Sequence, residues 1–412
     1  MKPSSKSDTT PRKLLLELMQ QGLAAVNGRN CVHSALQARV LPDKLYLVAI
    51  GKAADAMAAG AIDALGGRLR GGLVVTRYGY QDSPVYRDPR LLSLEAGHPL
   101  PDEQSLAAGR ALMLFLERVP TDAQFVFLIS GGASSLVEVL PDGVSLQQLR
   151  ELNRWLLGSG LAIDAVNRVR CAVSCIKGGR LAMQLAGRRA ELLLMQDVPG
   201  DRPEQVGSGL LMPPDRDVLP TLPPEFADLP LAAPIPQQHF ENVSLSVVAS
   251  NRQMLEAVAK AAQSHQMPVT LHAELPHADA LSCGERMAQQ VRDGAPGLHI
   301  WGGETVVKLP AVPGRGGRNQ ALALSAAEIL QGCRDCWLLS VGSDGADGNS
   351  GDAGALVDGS SIQRGADAGL DARDCLERAD SGRFLEASGD LVHTGPTGTN
   401  VMDLILGYKV PQ

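Results

Sequence analysis

A repeated unit of apolar strand, glycine turn and helix most constrains what this chain can fold into. The apolar run at 44–50 ends at Gly51-Lys52, and an alanine-rich stretch with high helix propensity follows it directly. Similar apolar runs occupy residues 71–76, 91–96, 124–130 and 191–198. Strands that are continuously apolar are typical of parallel sheets buried on both faces. The pattern predicts an α/β fold whose first sheet is mostly parallel and flanked by helices.

A second series of strand-and-glycine units follows a proline-rich stretch. Residues 212–237 contain two proline pairs, which indicates an irregular surface connection. A new apolar run at 244–250 leads into a predicted helix from about Asn251, and three more apolar runs that lead into glycines lie at 297–303, 336–345 and 390–398. The chain of 412 residues is longer than a typical domain with a single hydrophobic core. We therefore predict two α/β domains, residues 1–240 and a smaller domain of residues 241–412.

Composition excludes several classes of function. The formal net charge of −7 and the aromatic content of 3% argue against a nucleic-acid partner, which would need basic patches and stacking platforms. No apolar run is long enough for a signal-peptide core or a membrane span. Seven cysteines leave at least one unpaired, and Cys333 and Cys336 lack the second ligand pair of a zinc site. We expect a cytoplasmic protein without a membrane partner.

Polar residues placed just beyond the predicted strands are the main functional clue. In open α/β sheets, ligands bind beyond the carboxyl ends of the strands. The residues found there combine glycine-rich turns, one lysine, carboxylates and amides: Lys52, Ser130, Gly131, Gly132, Asp197, Asn251, Glu304, Asp344, Thr397 and Asn400. This mixture suits an anionic ligand together with a divalent cation.

Each of these motifs also has a purely structural interpretation. The turn Ser130–Ser135 either exposes backbone N–H groups to a phosphate or carboxylate, or simply joins a strand to a helix. Lys52 is either a phosphate contact or a solvated residue of a first helical turn. The arginines of the loop 314–320 either bind an anion or lie in solvent, and the loop around Asp344 is either a cation site or an Asx turn. Glu304 is either a ligand, a helix cap or a residue exposed to solvent.

Several signature motifs are absent from the sequence. There is no GxxxxGK[ST] and no GxGxxG after a predicted strand, which argues against a P-loop enzyme and weakens a dinucleotide-binding interpretation. There is also no HExxH and no GxSxG nucleophile elbow.

Ten ordered sequence blocks between about Leu47 and Leu406 together resemble the glycerate 2-kinase family that carries a C-terminal MOFRL domain. The blocks are AIGKAADAM (49–57), GLVVTRYGY (72–80), EAGHPLPDEQS (95–105), LISGGASSL (128–136), IKGGRLA (176–182), QDVPGDRPEQVGSG (196–209), GGETVV (302–307), GRGGRNQALAL (314–324), SDGADGNSGDAGALVDG (343–359) and GPTGTNVMDLI (395–405). The resemblance implies a Rossmann-like N-terminal domain, a MOFRL-type C-terminal domain and an active site in the cleft between them.

The resemblance also implies a reaction and a set of site residues. The family transfers the γ-phosphoryl group of ATP to the 2-hydroxyl of D-glycerate with a divalent metal, for which we expect Mg²⁺. Lys52 and Arg318 match the positions regarded as catalytic in the family, and we add Asp197 to them. Candidates for binding the substrate or phosphate are Ser130, Gly131, Gly132, Ser134, Ser135, Asn251, Asn319, Thr397 and Asn400. Candidates for binding the metal are Glu304 and Asp344. Which of Asp197, Glu304 and Asp344 accepts the hydroxyl proton and which bind metal stays open at this point.

The chain also departs from the family pattern, and this leaves the exact hydroxy acid open. Ala321, Ala172 and Met402 stand where the family commonly has glutamate, histidine and asparagine. Two alternative functions are a hydroxypyruvate reductase that uses NAD(P)H, as some members have been named, and a hydroxy-acid-binding protein with little catalysis. The expected partners are D-glycerate and ATP, and a homo-oligomer is compatible with the sequence.

Overall fold

The computed structural model describes residues 10–159, 161, 163–200, 202–213, 222–232, 240–275 and 278–411. Much of the proline-rich connection, at 214–221 and 233–239, lies outside these residues. The strands are β1 Leu45–Ile50, β2 Leu69–Arg77, β3 Leu91–Ala96, β4 Gln124–Ile129, β5 Ala190–Gln196, β6 Val243–Ser250, β7 Val269–Leu271, β8 Gly297–Gly303, β9 Cys336–Gly342, β10 Gly354–Asp358, β11 Leu391–Val392 and β12 Asp403–Lys409.

Helices alternate with most of these strands. The α-helices are α1 Pro11–Ala25, α2 Gly28–Gln37, α3 Ala54–Leu65, α4 Glu103–Arg118, α5 Ala133–Leu136, α6 Leu146–Gly158, α7 Ile163–Ala172, α8 Arg180–Met183, α9 Asn251–Ser264, α10 Ala280–Asp293, α11 Arg318–Leu330, α12 Ser361–Asp367, α13 Ala372–Glu377 and α14 Ser381–Ser388. Short 3₁₀ segments lie at Gly66–Arg68, Pro84–Arg87, Pro203–Ser208 and Pro224–Phe226.

The chain divides into two units, which are not simple halves of the sequence. The N-terminal unit comprises Asn27–Ser250 together with the short segment Gly398–Asn400. The C-terminal unit comprises the chain up to Val26, Asn251–Thr397 and the chain from Val401 onward. The predicted domain boundary at residue 240 stays a prediction.

The sheet of the N-terminal unit is parallel throughout. Its six strands lie in the order β3-β2-β1-β4-β5-β6, and every neighbouring pair is parallel. The central strands β1 and β4 are almost entirely buried, which explains their continuous apolar sequences. The prediction of a helix-flanked parallel sheet is confirmed, and its strand order is that of the doubly wound dinucleotide-binding folds.

The sheet of the C-terminal unit is mixed. Its described strands lie in the order β11-β10-β9-β12-β8-β7, and only β7 and β8 pair in parallel. The predicted strands at 297–303 and 336–345 are present, whereas the stretch 390–398 contains only the two residues of β11. Helix α1 also belongs to this unit and packs closely on α9. The close packing is evident at Gly22 of α1, where an added Cβ would lie only 2.6 Å from Cγ2 of Val258 on α9.

Candidate active site

The N-terminal sheet has a topological switch point between β1 and β4. From β1 the strands β2 and β3 continue to one side, and from β4 the strands β5 and β6 continue to the other. Ligands bind in the crevice at such a point, beyond the carboxyl ends of the strands. Gly51 and Lys52 follow β1 there, and the turn that begins at Ser130 follows β4.

The turns after β1 and β4 interlock through their backbones. The backbone N–H of Lys52 donates to the carbonyl of Gly131 at 2.9 Å, and the N–H of Ala53 donates to Oγ of Ser130 at 3.1 Å. Gly51 has a φ of +137°, and a Cβ at this position would overlap Ser130. Only glycine therefore allows the two turns to approach this closely, and the hydroxyl of Ser130 is used within the scaffold.

Side chains from three further segments converge on the two glycines after Ser130. A Cβ at Gly131 would overlap the carboxylate of Asp197 and the amide of Asn400, whose Nδ2 donates to Oδ2 of Asp197 at 3.3 Å. A Cβ at Gly132 would lie 3.2 Å from the ring of His98 and 3.2 Å from the side chain of Lys52. The ends of β1, β3, β4 and β5 and the segment 398–400 thus meet in one place within the N-terminal unit.

A cavity of about 220 Å³ opens beside this meeting point, within the N-terminal unit. Its lining includes the predicted residues Gly132, Ser134, Ser135 and Asp197. Nδ1 of His98, which also lines it, is hydrogen-bonded to Oγ of Ser135 at 2.9 Å. The cavity therefore combines hydroxyl groups, an imidazole and a carboxylate at the carboxyl edge of a parallel sheet.

The sequence did not single out several residues that line the cavity. These are Asn153, Asn167, Arg170, Gln205 and Ser208. They lie on α6, on α7 and in the segment 203–208, which periodicity marked only as helix and loop. Gln205 and Ser208 lie within the block QDVPGDRPEQVGSG (196–209), and Arg170 lies a few residues before the IKGG block. Its burial beside the cavity could not be deduced without the fold.

Arg318 of the C-terminal unit is held by two carboxylates. Its Nε and Nη2 donate to Asp403 at 2.7 and 3.0 Å, and Nη2 also donates to Oε1 of Glu304 at 2.8 Å. Burial lowers the pKa of Arg318, but the charge of Asp403 and its hydrogen bonds, together with the charge of Glu304, outweigh burial, so that the pKa is raised. Among the described residues Nη1 has no hydrogen-bond partner, so its two N–H groups can serve a ligand.

The second arginine of the same loop has a different environment. Nη1 of Arg315 donates to Glu386 at 2.8 Å, and Nη2 donates to Asp352 at 2.7 Å. Both partners belong to the scaffold of the C-terminal unit, which favours the structural interpretation for Arg315. Asp403 is the carboxylate that the sequence interpretation missed, because it opens the unpredicted strand β12.

The acidic loop after β9 contributes a helix cap. The carboxylate of Asp347 accepts backbone N–H bonds from Asn319 at 3.0 Å and from Gln320 at 2.8 Å, at the start of α11. Burial has the larger effect on the pKa of Asp347 and raises it to about 7, although these two hydrogen bonds lower it. Oδ1 of Asp344 accepts from the N–H of Ala346 at 3.2 Å, which is the Asx-turn geometry.

Three of the predicted binding residues use polar atoms within the C-terminal unit. Nδ2 of Asn251 donates to the carbonyls of Val401 and Asp403 at 2.8 and 2.9 Å. Oδ1 of Asn319 accepts from the hydroxyl of Ser340 at 2.6 Å, and the hydroxyl of Thr397 donates to the carbonyl of Ser343. A role for these three residues in ligand binding stays a prediction.

The predicted metal ligands do not form a dense cluster. Within the described part of the chain, the one group of three or more potential ligand atoms within 4.8 Å of one another is Cys333, Asp335 and Cys336. Glu304 and Asp344 are therefore not part of a prebuilt three-carboxylate site. Mg²⁺ in phosphoryl-transfer enzymes commonly takes one or two carboxylates and completes its shell with phosphate oxygens and water, so the two predictions stand untested.

Comparison with known proteins identifies the family. Residues 14–221 match the model of a domain of unknown function (DUF4147), and residues 297–403 match the MOFRL family. The D-glycerate 2-kinase of Thermotoga maritima is 35% identical over 97% of this chain and 98% of its own length. The chain belongs to the glycerate 2-kinase family. This confirms the resemblance drawn from the ten sequence blocks, and the protein is accordingly an enzyme of the kinase class.

The structural comparison agrees with this assignment. A crystal structure of glycerate kinase from Thermotoga maritima matches this kinase with a TM-score of 0.82 and 33% identity, over 97% of this chain and 99% of the other. A relative from Agrobacterium vitis, 35% identical over 97% of this chain and 94% of its own length, is named putative hydroxypyruvate reductase. In the described residues of this kinase, no helix is both long enough and apolar enough to cross a membrane. A cytoplasmic location stays a prediction.

Proposed function

We propose that this kinase transfers the γ-phosphoryl group of ATP to the 2-hydroxyl of D-glycerate, giving 2-phosphoglycerate and ADP. The observation that carries the proposal is the convergence of Lys52, His98 and Asp197 on the Ser130–Ser135 turn beside a small cavity. A lysine suits anionic oxygens, and a carboxylate can accept a hydroxyl proton. The choice of D-glycerate is supported by the name of the Thermotoga maritima relative.

The size of the cavity supports a small acceptor rather than a nucleotide inside it. Pockets for drug-sized ligands usually measure about 300–1,000 Å³, and this one measures about 220 Å³. A three-carbon hydroxy acid suits the smaller volume, whereas a complete nucleotide does not. We therefore assign the cavity to the phosphoryl acceptor.

Asp197 is the best candidate for the group that accepts the hydroxyl proton. It lines the cavity, whereas Glu304 is paired with Arg318 and Asp344 closes an Asx turn. In the proposed step the 2-hydroxyl oxygen forms a bond to the γ-phosphorus while the bond from that phosphorus to the bridging oxygen breaks. The electron pair of the broken bond leaves with ADP, and the hydroxyl proton passes to the carboxylate of Asp197.

Lys52 and Arg318 would neutralise charge on the transferred group. Phosphoryl transfer depends mainly on positioning and electrostatic stabilisation, so two cations account for much of what the protein must supply. The fixed guanidinium of Arg318 keeps the N–H groups of Nη1 available among the described residues, which supports this role. A site shared by both units stays a prediction, and the double variant described in the Discussion tests it.

The carboxylates of this chain fit a magnesium ion that arrives with the nucleotide. Glu304 and Asp344 are the residues that would hold it, since carboxylate oxygens are ligands that Mg²⁺ prefers. When bound, Mg²⁺ would supply neutralisation of the phosphate oxygens. Because only these two carboxylates are assigned to the ion, Mg²⁺ should bind weakly to the nucleotide-free enzyme.

An assay of ADP release tests the proposal. Purified enzyme with Mg-ATP should release ADP on addition of D-glycerate, and should release far less with glycerol, which lacks the carboxylate. Equal rates with and without D-glycerate would contradict the proposal. D-glycerate is the appropriate first acceptor because the departures at Ala321, Ala172 and Met402 leave the preferred hydroxy acid to experiment.

The name of the Agrobacterium vitis relative makes hydroxypyruvate reduction a second candidate. The chain after β1 reads Gly51-Lys52-Ala53-Ala54 and lacks the glycine fingerprint that binds a dinucleotide pyrophosphate. Oxidation of NADH or NADPH by hydroxypyruvate without ATP would favour this candidate. We expect no such oxidation.

A further inference from the structure

Arg170 lines the cavity of the N-terminal unit, and it is the one arginine or lysine among the described residues that do so. We propose that Arg170, together with the hydroxyls of Ser134 and Ser208, binds the carboxylate of the substrate and thereby selects short hydroxy acids over their neutral analogues. The inference rests on the proposed function in one respect, because it takes this cavity as the site of the phosphoryl acceptor. The sequence predicts an anion at the 130–135 turn and gives no indication of a role for Arg170.

The guanidinium of Arg170 is positioned by an amide rather than neutralised by an acid. Its Nε donates to Oδ1 of Asn153 at 3.2 Å, and Nδ2 of Asn153 donates in turn to the carbonyl of Leu149 at 2.9 Å. No carboxylate among the described residues forms an ion pair with Arg170. Asn153 therefore fixes the orientation of the guanidinium, and the N–H groups that do not bond to Asn153 can donate to a ligand.

Burial makes an unneutralised arginine costly in this position. Burial lowers the pKa of Arg170, although a guanidinium stays charged at neutral pH. Removing a cation from water costs free energy unless an anion or a set of hydrogen bonds compensates. A bound carboxylate compensates here, because its two oxygens match the planar fork of a guanidinium.

Ser208 is held in a strained conformation beside the same cavity. It has a φ of +57° and is flanked by Gly207 and Gly209 with φ values of +60° and +63°. A non-glycine residue in the left-handed region is under backbone strain, and such strain clusters at ligand sites. Ser208 is only 3% exposed, and its hydroxyl is hydrogen-bonded to the hydroxyl of Ser134 at 2.9 Å. The strained serine thus adds a paired hydroxyl to the lining.

The IKGG block fixes this strained loop from behind. The N–H of Gly178 donates to the carbonyl of Ser208 at 2.9 Å, and the N–H of Gly179 donates to the carbonyl of Gly209. Lys177, which precedes them, is 3% exposed and forms an ion pair with Glu138, which is 1% exposed. A buried ion pair and two backbone bonds therefore support the loop, and the hydroxyl of Ser208 has a rigid base.

The test compares Arg170 with a matched arginine on the same helix. Arg168 lies two residues earlier on α7 and is exposed. The variants are Arg170→Gln, Arg170→Lys, Arg170→Ala and the control Arg168→Gln. The measurements are KM for D-glycerate, KM for ATP and kcat, together with calorimetric binding of D-glycerate and of D-glyceramide without ATP. Melting temperature and far-UV circular dichroism confirm that each variant is folded.

We expect Arg170→Gln to raise KM for D-glycerate by about 100-fold, the scale of losing one buried charged hydrogen-bonded partner. KM for ATP should change little, because the proposed function places the nucleotide outside this cavity. The wild type should bind D-glycerate and not D-glyceramide, and the variant should lose that discrimination. Arg170→Lys should recover only part of the affinity, and Arg168→Gln should match the wild type. In Arg170→Ala, millimolar guanidinium should restore part of the affinity for D-glycerate.

Two outcomes would overturn the inference. An increase in KM for ATP with an unchanged KM for D-glycerate would assign Arg170 to a nucleotide phosphate. A fall in kcat and melting temperature without any change in discrimination between D-glycerate and its amide would make Arg170 structural. Failure of the proposed function is recognised separately, because wild-type enzyme would then release no ADP with D-glycerate while the calorimetric comparison still tests carboxylate binding by Arg170.

Discussion

The carboxylate of Asp197 lies directly over Gly131, so closely that no side chain can occupy position 131. A Cβ there would overlap Oδ2 of Asp197 and Nδ2 of Asn400. Gly131 and Asp197 follow the carboxyl ends of the neighbouring strands β4 and β5. The glycine therefore does more than close a turn, because it sets the position of the acid that lines the cavity.

Gly131→Ala should displace Asp197 and lower kcat by about 10²-fold, the scale seen when a catalytic acid–base group is misplaced. The added methyl group should also cost about 1–3 kcal/mol of unfolding free energy, as overpacking does. Steady-state kinetics and urea unfolding measure the two effects.

Gly158→Ala is the matched control for that change. Gly158 ends α6, is exposed, and has no atom within 4 Å of an added Cβ. Its kcat should equal that of the wild type. Full activity in Gly131→Ala would show that the position of Asp197 is irrelevant to turnover.

Asp197→Asn keeps the shape of the side chain and removes its capacity to accept a proton. We expect kcat to fall by about 10²–10⁴-fold, the usual contribution of general acid–base catalysis. KM for D-glycerate and the Mg²⁺ concentration for half-maximal rate should change little. Recovery of kcat at high Mg²⁺ or with Mn²⁺ would instead identify Asp197 as a metal ligand.

Arg318→Lys should lower kcat by about 10²-fold, because a lysine cannot reproduce the fork that engages Asp403 and still offers Nη1. Lysine is preferred to alanine here because Asp403 is only 1% exposed and would be left without a cation. The melting temperature should be compared alongside kcat, so that a folding defect is recognised.

Arg315→Lys serves as the internal control in the same loop. Arg315 is paired with Asp352 and Glu386, so Arg315→Lys should leave kcat near the wild-type value.

The double variant of Lys52→Ala and Arg318→Lys should lose less kcat than the product of the two single effects, because residues that act as a unit are non-additive. Strict multiplicativity, or an equal loss of kcat in Arg315→Lys, would argue against a shared role of Lys52 and Arg318.

Strands β1, β4 and β5 of the N-terminal sheet were predictable because they are almost entirely buried, which gives them continuous apolar sequences. The predicted bounds of β3, residues 91–96, agree with the structure, and β1 and β4 differ from their predictions by one residue at one end. Strands β10 and β12 were missed because they contain residues that are unfavourable in strands: β10 begins at Gly354 and ends at Asp358, and β12 begins at Asp403 and contains Gly407. The two-residue β11 shows the reverse error, since Leu391 and Val392 lie in a longer stretch that resembled a strand.

The candidate site was predictable only where it lies next to a strand end. Lys52, Asp197 and the 130–135 turn could be found from that rule. The pairing of Asn400 with Asp197, 203 residues apart, depends on how the segment 398–400 joins the N-terminal unit. Arg170 and Ser208 come together through helix packing and a strained loop, and neither has a periodic signature.

Stability should depend on pH through Asp347. Burial raises the pKa of Asp347 to about 7 in the folded enzyme, whereas an unfolded aspartate has a pKa of about 3.9. The folded state therefore binds the proton more tightly, and the stability that this gives is present at low pH and is lost as pH rises through 7. The unfolding free energy of the wild type, relative to Asp347→Asn, should fall between about pH 4 and pH 7. If urea unfolding shows that the difference in unfolding free energy between the wild type and Asp347→Asn does not change with pH, the raised pKa of Asp347 is contradicted.

The identity of the product tests the central claim most directly. Enzyme, Mg-ATP and D-glycerate should be incubated and the product examined by phosphorus NMR with phosphorus–proton coupling, which shows which carbon carries the phosphate. A phosphorus resonance coupled to the single proton on C2 is the predicted result, because it identifies 2-phosphoglycerate. Coupling to the two protons on C3, or no phosphorylated product from a folded enzyme, would contradict the account.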